Sequence, residues 1–183
     1  MSNAIQDRVD YDLRLNPHHH VVAILQRQYV DTVELRSRID HARNLIETPY
    51  AAPVQSLLAG LREELAVVTK LLQERLGSLS PDYTHLQRPH TESEQFWQLF
   101  RIDGCDCSGH LEALLCGYVR YARATSDSIA LLQTLGDEES VQLMQMMFDA
   151  ADSGIWFLEF YMEGLALRMD LERLPEFAPT IGI

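Results

Sequence analysis

Apolar residues recur at intervals of three and four along four stretches of this chain, the spacing that gathers them on one face of an α-helix. Between Val21 and about Ile46 the positions Ile24, Leu25, Val33 and Ile39 keep that interval among charged residues. Thr48-Pro49 interrupts the pattern, because proline lacks the N–H that a helix interior needs. From Pro53 to Leu76 the rule holds most closely, through Val54, Leu57, Leu58, Leu61, Leu65, Val68, Leu72 and Leu76. Gly77-Ser78 and Ser80-Pro81 then predict a stop.

The second half repeats the scheme. Asp106 or Ser108 is placed to cap a third helix that runs through Leu111, Leu114, Leu115, Tyr118, Tyr121, Ile129 and Leu132 to about Leu135, where Gly136 ends it. Asp137-Glu138-Glu139 puts three acids at the positive end of a fourth helix, which continues through Leu143, Met147, Ala150, Ile155, Leu158 and Met162 towards Leu171. Residues 82–89 read as an irregular connection, and Thr91 to about Phe100 as a short extra helix. Residues 1–20 read as a flexible N-terminal extension, 21–171 as one helical domain, and 172–183, with Pro175 and Pro179, as an irregular tail. Two short links on either side of one long connection predict an all-α four-helix bundle with a crossover between its second and third helices. No glycine-rich phosphate loop, alternating strand pattern or internal repeat competes with this reading.

Composition narrows the partners. The chain has 183 residues with 46% apolar content, enough for one sizeable core. No stretch reaches eighteen uncharged apolar residues, so no membrane span is expected. The N-terminal segment lacks a basic start followed by an apolar run, and a cytoplasmic location is the expectation. Cys105, Cys107 and Cys116 are odd in number and crowded together, which fits reduced thiols better than a disulfide framework. The formal net charge is −12, and Lys70 is the one lysine among 15 basic residues. A protein that binds DNA through phosphates needs a basic arm or face, whereas here Arg8 and Arg14 are set against Asp7, Asp10 and Asp12. The charge therefore speaks against DNA and favours metal cations as partners.

Several residue groups carry possible chemistry. Cys105-Asp-Cys107-Ser-Gly-His110 places two thiols and an imidazole within six residues, half of a zinc or iron site. The commoner fate of such cysteines is to act as small buried hydrophobes. His18-His19-His20 is able to chelate a transition metal, although a solvated lead-in to the first helix is the plainer reading. Glu34, Asp149, Asp152, Glu159 and Glu163 are acids of the kind that line pores or nucleate iron in a protein shell, and equally the ordinary charges of a solvated helix face. The Glu-x-x-His signature of di-iron bundles is missing, since His110 has Cys107 three residues before it. Trp156, Phe157, Met144, Met146 and Met147 lie at helical spacing, where core or subunit packing is the expectation ahead of haem ligation.

In the first two helices the run Leu25-Gln26-Arg27-Gln28, then Leu35, Gly60, Arg62, Leu65 and Glu74-Arg75, falls without a gap on the spacing of the Dps family of mini-ferritins. Arg120-Tyr121, the Asp137-Glu138-Glu139 corner and Ile155-Trp156-Phe157-Leu158-Glu159 resemble the same family's second half, so that the similarity spans residues 25–163. This resemblance implies a ferritin-like bundle, a hollow homo-oligomer of twelve subunits, and iron oxidised and stored inside it against peroxide stress. It also implies an oxidation site built across a dimer interface from a His pair, an Asp, and a second Asp followed four residues later by Glu-Arg. Those places fall here on Arg43 and Gln55, on Ala59, and on Lys70 and Glu74-Arg75. Of the ligands Glu74 alone is retained. Cations at two of the places turn attraction for iron into repulsion, and Lys70 and Glu74 stand at the i, i+4 spacing of an ion pair. His41, two residues before Arg43, is the nearest imidazole to that register.

Overall fold

The computed structural model of the chain describes residues 17–46, 51–80 and 107–173, with the side-chain environments given for 17–46, 52–80 and 107–165. All of these residues but the short links lie in four long helices: α1 (Pro17–Leu45), α2 (Ala51–Leu79), α3 (Cys107–Leu135) and α4 (Glu138–Arg173). No strand occurs among the described residues. The short helix expected at residues 91–100 lies outside them, as does the expected tail apart from residues 172–173, which are helical as the end of α4.

The helix bounds differ from the sequence pattern in instructive ways. α1 begins four residues before Val21, on a proline at its first position, where the ring's fixed φ suits the helix and the missing N–H is not needed. The three histidines thus form the first turn of α1 instead of leading into it, and the His18 ring Nε2 lies 3.0 Å from the Leu79 carbonyl oxygen. α2 runs through Gly77-Ser78 to Leu79, whose side chain packs against the core. That contact extends the helix past residues that usually end one. Ser108 lies inside the first turn of α3 and so is not its cap.

The end of α3 follows expectation. Gly136 takes the left-handed conformation, with φ 74°. Its N–H donates to the Gln133 carbonyl at 3.2 Å, and the Asp137 N–H donates to that of Leu132 at 3.3 Å, which closes the helix with a paired cap. Asp137 caps α4 in turn, its Oδ1 accepting the Ser140 N–H at 3.1 Å.

α1 packs against α2 and α3, and α4 against α3 and α2, leaving α1 opposite α4. Pairings between helices give their directions. Gln73 reaches Tyr29, Arg62 reaches Asp40, and Gln55 reaches Arg43, so α2 runs antiparallel to α1. Gln28 meets Thr125 and Thr32 meets Tyr121, so α3 also runs antiparallel to α1. α2 therefore ends beside the start of α1, while α3 begins beside the end of α1. The chain leaves the second helix at one end of the bundle and enters the third at the other.

The core fills with the predicted faces. Leu25, Ile39, Leu58, Leu72, Leu76, Leu111, Leu114, Leu132, Met144, Met147 and Leu158 are fully buried. Each such side chain contributes roughly 1.5–3 kcal/mol of burial free energy.

Candidate functional site

The positions that a mini-ferritin oxidation site would use fall into two separate places. At one end, the Gln55 side-chain amide donates to the Arg43 carbonyl at 2.7 Å and lies 3.4 Å from that of Ile46. Gln55 so satisfies carbonyls that the last turn of α1 leaves open, a capping role. Arg43 points its guanidinium towards Asp40 at 3.9 Å, and Ala59 is half-buried on α2. Lys70 lies about four turns beyond Gln55 and three beyond Ala59 along α2, roughly 22 and 16 Å away at 1.5 Å per residue, with Glu74 one turn further. There the Lys70 ammonium stands 3.7 Å from the Glu74 carboxylate, both exposed. Two cations and a capping amide do not fit a two-iron centre, which needs oxygen and imidazole donors.

Arg75 is differently placed from its neighbour Glu74. Its guanidinium turns into the bundle end and grips Asp137 through both carboxylate oxygens, at 2.7 and 2.9 Å. It also donates to Ser140 Oγ at 3.0 Å and to Glu139. The acidic corner is thereby a structural clasp between α2 and the start of α4.

Between α1 and α3 lies a buried polar ladder. The Thr32 hydroxyl donates to the Gln28 carbonyl at 2.7 Å, which uses its one hydrogen, so the Tyr121 hydroxyl donates to Thr32 Oγ1 across 2.8 Å. The Thr125 hydroxyl likewise donates to the Tyr121 carbonyl at 2.9 Å and accepts from Gln28 Nε2 at 2.6 Å. Burial pushes the Tyr121 phenol up to about 12. The sequence reading missed this ladder; the polar residues Gln28, Thr32 and Thr125 at core positions are the signal that marks it.

Tyr118, one turn before Tyr121, is buried and its hydroxyl has no hydrogen-bond partner among the described residues. Burial first, and then the negative charge of Glu64, raise its pKa well above the ordinary phenol value. Glu64 sits mostly exposed on α2, yet its own carboxyl is pushed up by the part that is buried. The Tyr118 ring rests directly on Gly154 of α4, where a Cβ would lie 2.5 Å from Cε1.

His110 is buried on the first turns of α3, and exposed His41 on α1 meets it edge to face, with ring centroids 6.4 Å apart at 76°. Cys107, half-buried, precedes His110 by one turn. Cys105 lies outside the described residues. Among those described, no group of three His, Cys, Asp or Glu side chains stands together as a ready metal cage. Asp149, Asp152, Glu159 and Glu163 are exposed along α4, and Glu34 on α1 is half-buried 3.9 Å from Arg38.

The aromatic and methionine group splits in two. Met144 and Met147 are fully buried, but Met146, Trp156 and Phe157 are exposed, so the core reading fails for these three. The residues at 146, 156 and 157 lie opposite the buried stripe of α4, and Phe160, which the pattern did not single out, joins them. Trp156 stacks on Phe160 at a centroid distance of 5.6 Å and meets Phe157 edge-on at 5.0 Å. With Trp156 58% and Phe160 59% exposed, this is an outward aromatic face.

No protein-family model and no curated protein matches this sequence. No helix among the described residues is long and apolar enough to cross a membrane.

Proposed function

We propose that this chain is a Dps-like, ferritin-fold subunit of a homo-oligomeric shell that binds and stores iron and protects against oxidative stress, with a largely degenerate ferroxidase site. The observation that carries the reading is the order of helix directions. A second helix that leaves at one end and a third that enters at the other require one connection running the length of the bundle, as in ferritin-like folds. The Arg75 clasp on the acidic corner and the register of residues 25–75 add support. The outward aromatic face on α4 supplies subunit-contact surface, and exposed acids along the same helix attract cations. Iron is cargo in this reading.

Light scattering is expected to give a particle about twelve times the 20.9 kDa chain mass. Aerobic loading is expected to show slow ferrous oxidation by absorbance, lowered by Glu74→Ala, with iron retained on gel filtration. A monomer or dimer would sink the shell. No oxidation above the buffer rate in an intact particle would sink the iron chemistry.

That second outcome is what an alternative reading expects: a non-catalytic structural or interaction protein that keeps the shell without metal chemistry. Its support is the Lys70 ammonium, 3.7 Å from the one retained ligand.

A further inference from the structure

We propose that the outward face of α4 pairs with the same face of a second copy, as two antiparallel helices about a two-fold axis that sets Trp156 of each copy against Phe160 of the other. The inference rests on the homo-oligomer of the proposed function, and on neither its shell nor its iron.

The face has a seam. Met146, Asp149, Ser153, Trp156, Phe160 and Glu163 recur at alternating intervals of three and four residues, and all are exposed. That is the packing interval of a helix pair, here turned away from the bundle, which buries Met144, Met147, Ala151 and Leu158 on the other side of the same helix. Phe157 flanks the seam, edge-on to Trp156 at 5.0 Å. Trp156, Phe157 and Phe160 are 58%, 44% and 59% exposed. An aromatic side chain carries roughly 150–250 Å², so two such faces brought together hide on the order of 600 Å² of aromatic surface. That is about half of the roughly 1,200 Å² at which stable interfaces begin, before the flanking residues are added.

A second copy is the occupant because this face finds its match in itself. Among the described residues, the remaining exposed large apolar side chains are Val67 on α2 and Val119 and Leu131 on α3, and α1 has none. Docking α4 onto any of those faces would set three aromatic rings against a largely polar surface. Docking it on itself joins aromatic to aromatic and closes after two copies. Charge then sets the direction. Residues 138–165 of α4 hold six acids and no base, while Arg168 and Arg173 fall in its last turns, where bases and acids are equal in number. Parallel copies would place Asp149 on Asp149 and Glu163 on Glu163 and align the two helix dipoles. Antiparallel copies oppose the dipoles and lay the acidic start of each helix beside the arginine-bearing end of the other. With the axis midway between Trp156 and Phe160, Glu163 falls across from Ser153 of the second copy.

The test mixes two full-length variants, Ser153→Cys and Glu163→Cys, with a short bis-maleimide, and locates the cross-linked peptides by mass spectrometry. Both positions are exposed, so the fold tolerates the changes, which circular dichroism checks. Light scattering at the same concentration gives the particle mass. The mixture is expected to yield an interchain link between positions 153 and 163, at least tenfold above any link at these positions in either variant alone. A link between two copies of the Ser153→Cys chain on its own means parallel helices and overturns the pairing. No link at these positions in a protein with the mass of an oligomer also overturns it. That outcome leaves the homo-oligomer standing and gives the face to another occupant, residues 81–106 of the same chain or a different protein. A monomer overturns both the pairing and the homo-oligomer.

Discussion

Arg75 and Asp137, 62 residues apart in the chain, are joined by hydrogen bonds of 2.7 and 2.9 Å from one guanidinium nitrogen to the two carboxylate oxygens, at the end of the bundle where α2 stops and α4 starts. The pair is mostly shielded from water, with side-chain exposures of 13% and 16%. Asp137 meanwhile caps α4, so one carboxylate ends one helix junction and holds another.

Truncating the guanidinium strips Asp137 of its counter-charge while leaving it half-buried. Arg75→Ala is therefore expected to destabilise the protein by about 2–3 kcal/mol, more than a surface ion pair would. Urea unfolding measures this. Glu74→Ala, next door but exposed, is expected to change stability by less than about 0.5 kcal/mol. Equal costs at the two positions would contradict the clasp.

The Tyr118 hydroxyl is buried without a partner among the described residues, and an unsatisfied hydroxyl costs free energy that a phenylalanine avoids. Tyr118→Phe is expected to be neutral or to stabilise by up to about 1 kcal/mol. A loss of stability on the same urea measurement would show that the hydroxyl is satisfied.

Gly154 is required by that same ring. A methyl group placed 2.5 Å from Tyr118 Cε1 forces the ring or the helix aside, and the ring is packed on all sides. Gly154→Ala gains helix propensity, yet overpacking at roughly 1–3 kcal/mol outweighs it. A lower thermal midpoint is expected for Gly154→Ala, and recovery is expected when Tyr118→Leu is added.

Both buried tyrosines have raised pKa values, so each resists ionisation in the folded chain while its unfolded form ionises near its ordinary value of about 10. Their contribution is complete below that value. It is lost as pH rises, between about 10 and 12 for Tyr121. Stability at pH 11 is expected to fall below that at pH 9, by on the order of 1 kcal/mol for each of the two phenols. The double variant Tyr118→Phe, Tyr121→Phe is expected to remove most of this dependence, which denaturant titration at the two pH values would read.

The outward face of α4 is expected to hold subunits together, since Trp156 and Phe160 stack where none of the four described helices covers them. Trp156→Glu with Phe160→Glu is expected to lower the particle mass in light scattering, while circular dichroism stays that of an intact helical chain. An unchanged mass would place the subunit contacts elsewhere.

Much of the architecture was legible along the chain, because a helix that buries one face writes its period into the sequence. Leu58, Leu61, Leu65, Leu72 and Leu76 on α2 are buried as their spacing required, and Gly136 ends α3 because it is free to take φ 74°. The early start of α1 was not legible, since three histidines carry no apolar period. Nor was the run of α2 past Gly77, which depends on Leu79 finding the core.

What lies between helices is another matter. An i, i+4 relation such as Lys70–Glu74 is local and can be read from numbering alone. Whether Arg75 turns inwards while Glu74 faces solvent, whether Trp156 points at the core or away from it, and that His41 faces His110 are decided by helix rotation and direction. These follow from the packing of all four faces at once. Periodicity marks which face is apolar, but only the assembled bundle sets two residues 69 positions apart within reach of one another.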